Sequence, residues 1–138
     1  MKKYFILLIT FLVLSAGIKT YAQSEKSNQR ITVEINYGNE KETRTQAINV
    51  SGNITALEAL QYAAEVHTHP AGNYVFVDAI DGVEGVRGKK GWYYEVNGKS
   101  ADKLAIRKQL TAGDHVTWIY KKDVCSKKAD KKDRCDSE

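Results

Sequence analysis

Apolar and polar positions alternate without a break over residues 31–37, with Ile31, Val33, Ile35 and Tyr37 on one face and Thr32, Glu34 and Asn36 on the other. That period of two predicts a strand buried on one side. Gly38-Asn39-Glu40 supplies a turn, and the more polar run 43–50 predicts a second strand that returns as a hairpin. Ser51-Gly52-Asn53 breaks it, and the period then changes. Leu57, Leu60, Ala63 and Ala64 recur at helical spacing. Thr55 and Glu58 have the spacing of a capping box, in which each side chain satisfies a backbone donor of the first turn. A helix is expected from Thr55 onward, ended by Pro70, Gly72 and Asn73. A strand over 74–80 follows, then a turn-rich loop over 81–90.

The densest aromatic pattern comes next. Gly91-Trp92-Tyr93-Tyr94-Glu95-Val96-Asn97-Gly98-Lys99 sets three aromatics and a β-branched residue against Asn-Gly. That dipeptide accepts positive φ at both central positions, so it marks a tight hairpin. After a connector over 100–112, Gly113-Asp114 opens a last strand, His115-Val116-Thr117-Trp118-Ile119-Tyr120. In extended backbone Trp92, Tyr94 and Val96 share a face, as do Val116, Trp118 and Tyr120. Paired across strands, these ladders fill a core. On an open sheet face, the same rings could stack on a flat ligand. Tyr93 and Tyr120 suit contact better than the tryptophans, because a tyrosine has a flat apolar ring with a polar tip.

One helix over a mixed sheet in the order ββαβββ is an α+β, two-layer arrangement, and the β-grasp is the simplest fold with that order. Several segments then carry a resemblance: a helix rich in Leu and Ala, the strand ending in Ile80-Asp81-Gly82, and the pairing of Trp-x-Tyr-x-Val-Asn-Gly from Trp92 with Gly-Asp-x-Val-x-Trp-x-Tyr from Gly113. Over about residues 30–121 the chain resembles the transcobalamin-like C-terminal domain family, of DUF4430 type. The resemblance implies a β-grasp related to soluble ligand-binding modules. In transcobalamin-type proteins this domain closes over cobalamin held against a helical barrel, so cobalamin or a related corrinoid is the ligand the resemblance names. This chain is too short to contain such a barrel, and a partner chain could supply it.

The ends change the picture. Lys2-Lys3 precede an apolar run over 4–14, and Thr20-Tyr21-Ala22 ends on a small residue before Gln23. This is the pattern of a signal peptide over 1–22, too short in its apolar part to span a bilayer. A soluble periplasmic or extracellular chain is expected, with a polar leader over 23–29. Lys2, Lys3 and Lys19 lie in the signal, so the net charge of +4 falls to about +1 after cleavage. Nothing in that balance calls for nucleic acid, which needs a basic face. The run 122–138 is charged and nearly free of apolar residues, a composition that does not fold alone. It holds Cys125 and Cys135, and an exported pair is most simply one disulfide.

No motif points to catalysis. There is no Ser in a nucleophile elbow, and no helix follows Gly82, Gly85 and Gly88 as a phosphate loop requires. Asp78, Asp81 and Glu84 form a loose acidic group without the ligand order of a calcium loop. His67 and His69 are weak metal candidates. An imidazole there could meet a cobalt ion, or the pair could face the helix's terminal carbonyls. His115 opens a strand and is expected to face solvent. The expected function is a non-enzymatic binding module with candidate contacts Trp92, Tyr93, Tyr94, Asn97, Trp118 and Tyr120. Its partner is a small-molecule ligand or, alternatively, a protein of the cell envelope or surface.

Overall fold

The computed structural model describes residues 28–123. The expected signal over 1–22, the expected leader as far as Ser27, and Cys125 and Cys135 with their expected disulfide lie outside the described residues. The strands in chain order are β1 (Asn28–Asn36), β2 (Arg44–Ser51), β3 (Ile54–Thr55), β4 (Val66–Ala71), β5 (Tyr74–Ile80), β6 (Val83–Glu84), β7 (Lys90–Val96), β8 (Lys99–Ser100), β9 (Gln109–Leu110) and β10 (His115–Lys122). One short helix, α1 (Ala56–Ala63), follows β3. The described residues are thus mostly sheet, with one helix among them.

A mixed five-stranded sheet runs in the order β2-β1-β10-β7-β8. β1 and β2 form the expected antiparallel hairpin, and β1 lies parallel to β10. The alternation over 31–37 is realised as expected, since Ile31, Val33, Ile35 and Tyr37 are all buried. They form one core with Ile48, Val50, Val116, Trp118 and Tyr120 from neighbouring strands.

α1 begins on the expected capping box. The Glu58 N–H donates to Thr55 Oγ1 at 3.2 Å and the Thr55 N–H donates to Glu58 Oε2 at 2.8 Å. These bonds hold the Glu58 carboxyl below its ordinary range. Leu57, Leu60 and Ala63 are buried against the sheet, and each leucine contributes roughly 1.5–3 kcal/mol. The helix stops earlier than expected, at Ala63, with extended backbone at Ala64. The residues between there and Pro70 form β4, which pairs with β5. Val66 and Thr68 are β-branched and favour a pleated surface, and tertiary pairing overrides weak helical propensity there.

β4, β5 and β6 form a second, three-stranded sheet. Val66, Val75, Val77, Ile80 and Val83 bring its inner face onto the main core. Asp81 (φ 48°) and Gly82 (φ 78°) make the two-residue turn between β5 and β6. Asp81 then acts as a hub. Its carboxylate accepts from the Tyr37 hydroxyl, from Arg44 at 2.9 Å and from the Glu65 N–H at 3.0 Å, and its carbonyl accepts from Lys41. The outer face of the five-stranded sheet is half-buried and mostly polar, and there His115 pairs with Glu34 at 3.0 Å.

Candidate functional site

The two aromatic ladders meet as cross-strand pairs. Trp118 stands opposite Tyr94 and Tyr120 opposite Trp92, with ring centroids 5.1 Å apart in both pairs. Tyr37 meets Trp92 edge-on at 5.7 Å. Trp118 and Tyr120 are only 2% and 7% exposed. Most polar tips are tied inward. Trp92 Nε1 donates to the Val83 carbonyl at 2.9 Å, Tyr120 Oη to the Glu84 carbonyl at 2.6 Å, and Tyr94 Oη to the Lys103 carbonyl. Burial, helped by the charge of Asp102, pushes the Tyr94 hydroxyl up to about 12. Trp118 Nε1 finds no acceptor among the described residues. Trp118 and Tyr120 are therefore core residues, and Trp92 and Tyr94 are half-buried rings packed against them.

Tyr93 points to the other face, opposite Ile119. Lys121 lies over its ring at 5.1 Å and its hydroxyl donates to Asp123 Oδ1 at 3.1 Å. Asn97 and Gly98 have φ of 53° and 73°, the turn expected of Asn-Gly. Both amide atoms of Asn97 are engaged, Nδ2 donating to Asp114 Oδ1 at 2.8 Å and Oδ1 accepting from the His115 N–H at 2.9 Å. Asp114 also accepts from the backbone and hydroxyl of Thr111. Burial opposes ionisation of Asp114, but these donors outweigh it and hold its carboxyl below the ordinary range. Asn97 and Asp114 thus bind the two turns to each other.

Tyr120 also floors a cleft of about 540 Å3 between the β1–β2 turn and β6, lined by Glu40, Lys41, Val83, Val86 and Lys90. Lys90 covers the Tyr120 ring at 5.3 Å and pairs with Glu40 at 2.7 Å. This hydrogen bond to Glu40 holds the Lys90 ammonium above its ordinary range. The Lys90–Glu40 pair thus forms one wall of an open cleft.

Tyr62 on α1 is 68% exposed, and two neighbouring exposed aromatics lie on the β4–β5 hairpin. Tyr74 and Phe76 are 52% and 45% exposed, with ring centroids 6.2 Å apart. They sit on the face of β5 opposite Val75 and Val77, which pack on the core. His69 lies opposite Phe76, its ring stacked at 5.6 Å and tilted by 28°. His69 Nδ1 is 2.5 Å from Asp78 Oδ1. His67 pairs loosely with Glu65 at 3.4 Å. The structure thus sets His69 between Phe76 and Asp78 and leaves His67 against Glu65. One sequence signal does mark Tyr74 and Phe76: 74–77 is apolar at every position, so one face of β5 either stays uncovered or finds a partner.

Asp78 and Asp81 are engaged separately, by His69 and by the Tyr37–Arg44 hub. Among the described residues no group of three His, Cys, Asp or Glu could hold a metal ion. None of their helices is long and apolar enough to cross a membrane.

Residues 53–122, just over half of the chain, match the family model described as a domain of unknown function, DUF4430. The chain belongs to the DUF4430 family. β1 and β2 precede the matched span of this DUF4430 chain. Among solved structures, it is similar to a Ruminococcus gnavus ATCC 29149 protein described as a "putative metal binding protein". The identity is 14% and the TM-score 0.60, over 69% of this chain and 98% of that one. It is also similar to haptocorrin in complex with Cbi, at 12% identity and a TM-score of 0.63, over 72% of this chain and 26% of that one. The DUF4430 chain therefore spans about a quarter of the haptocorrin length. At these identities the likeness is one of fold, and it agrees with the transcobalamin-like resemblance. No curated protein matches the sequence.

Proposed function

We propose that this chain is an exported, non-catalytic binding module of the β-grasp type whose ligand rests on the outward face of the β4–β5 hairpin. Cobalamin or a related corrinoid is the ligand class. The observation that carries this reading is the exposed row of Tyr74, Phe76 and His69 beside a core ladder whose rings are already occupied. Adjacent exposed aromatics on an otherwise polar surface mark a contact site. A corrinoid is a broad flat ring with apolar faces and a polar rim, and the hairpin face offers rings flanked by His69 and Asp78. The haptocorrin likeness supports the same class, since that protein is a complex with Cbi. Export follows from the apolar 4–14 run and the small-residue site at Ala22.

The test is calorimetric titration of the purified chain with cobalamin and cobinamide. Saturable binding near micromolar, lost in Tyr74→Ala and Phe76→Ala variants that melt like the parent, supports the reading. Undiminished binding by those variants moves the site elsewhere. A second reading is a protein-interaction module of the cell envelope. β2 favours it, because β2 is an uncovered edge with Gln46, Ala47 and Asn49 exposed, and such an edge can accept a partner's strand. Absence of heat with either corrinoid, together with capture of an envelope protein, would select that reading.

A further inference from the structure

We propose that His69 is an axial metal ligand, held in position by Asp78, for a metal whose equatorial positions are already filled by a planar macrocycle. The proposal rests on the corrinoid reading of the same hairpin face and adds the bond that would fix the ligand there.

The local backbone is shaped for this. The register of β4 against β5 shifts between His67 and Thr68. The extra residue is Asp78 on β5, which has no Cα partner on β4. Beyond it His69 pairs with Phe76, and the exposed face of the hairpin carries His69, Asp78 and Phe76 together. The Gly85 N–H donates to the Asp78 carbonyl at 2.7 Å, so β5 is anchored where the carboxylate stands.

The chemistry follows from the hydrogen bond. A carboxylate only accepts, so the Nδ1 atom facing Asp78 Oδ1 carries the proton, and in neutral imidazole Nε2 then carries the lone pair. A carboxylate behind a histidine fixes the tautomer and the ring direction and raises the basicity of the ligating nitrogen. Half of the His69 side chain is exposed, and among the described residues no hydrogen bond engages Nε2.

A lone imidazole does not hold a bare ion, which asks for several protein ligands. The absence of a three-ligand cluster among the described residues excludes that use of His69 by the described chain. A macrocyclic metal brings four ligands of its own and needs only one more. Its plane lies across the edge of an axial imidazole. The Phe76 ring, within 28° of His69, would meet the macrocycle edge-on from the same side, and Tyr74 extends that support. Ligation replaces one axial water by Nε2, and the Nδ1 proton stays on the imidazole.

The experiment uses the purified chain with two probes, diaquocobinamide and hemin, followed by visible absorption. The expected result is a saturable band shift with cobinamide, kept in His67→Gln and abolished in His69→Gln. Asp78→Ala should weaken binding 10- to 100-fold, the usual effect of removing a metal ligand's carboxylate partner. A shift with cobinamide alone assigns a cobalt corrin, and a shift with hemin as well assigns planar metal macrocycles generally. A shift that survives His69→Gln overturns the proposal. Tyr74-dependent heat of binding without a His69-dependent shift also overturns it and leaves the corrinoid reading standing. Absence of both heat and shift overturns the two together.

Discussion

Asn97 tests whether the aromatic hairpin is built as described. Alanine there would sit at a φ of 53°, a left-handed conformation that costs an ordinary side chain about 1–2 kcal/mol and that Asn tolerates. It would also remove the donor to Asp114 and the acceptor for the His115 N–H. Each such bond contributes about 0.5–1.5 kcal/mol net. The Asn97→Ala variant should therefore lose about 2–5 kcal/mol. Asn97→Gly loses the same two bonds but carries no strain at positive φ, so it should lie about 1 kcal/mol above the alanine variant. In a domain of this size each kcal/mol lowers Tm by about 4–8 °C. Urea denaturation and thermal melting of the three chains measure both numbers. If Ala and Gly agree within about 0.3 kcal/mol, the backbone part of the reasoning is wrong. If both match the parent, Asn97 is not tied into the fold and returns as a ligand-contact residue.

Two further predictions concern the core. Burial, then the hydrogen bond and charge of Asp81, push the Tyr37 hydroxyl up to about 12. Because its folded value lies above its unfolded value near 10, the stabilisation is fully present below pH 10 and is lost as pH rises toward 12. Urea midpoints at pH 9 and pH 11 should show the parent losing more than Tyr37→Phe, and equal losses would remove Tyr37 from the account. Leu60 is fully buried under the sheet, so Leu60→Ala should cost about 2–5 kcal/mol in urea denaturation. A cost below about 1 kcal/mol would mean that α1 packs loosely.

The strand alternation, the capping box and the Asn-Gly turn were legible because each rests on neighbours in sequence. Ile31 to Tyr37 needs only a period of two, Thr55 and Glu58 only a spacing of three, and Asn97-Gly98 only its own backbone. β4 was not legible, since its pairing with β5 depends on contacts that no local pattern contains. The Asp-Gly turn after Ile80 carried the same signal as Asn-Gly, yet the loop around it hid the short β6. The rings of Trp92, Tyr94, Trp118 and Tyr120 were legible as a ladder, but alternation alone does not say which face is covered. The second sheet decides that by covering theirs and leaving Tyr74 and Phe76 outside. His69 was marked by residue type, whereas its partner Asp78 lies across a hairpin with a bulge that shifts the register.

The parallel pairing of β1 with β10 has a mechanical consequence. Thr32 stands beside His115 and Asn36 beside Ile119, so both strands run in the same direction at the centre of the sheet. The chain enters the domain at one end of this pair, at Asn28, and leaves at the other, past Lys122. A pull on the two ends loads the rungs between β1 and β10 side by side, in shear, and none can open ahead of the rest as in a zipper. A module tethered by one end and gripped by the other would resist force through this one seam, while the β4–β5 hairpin stands off the line of tension with its exposed aromatic face unloaded.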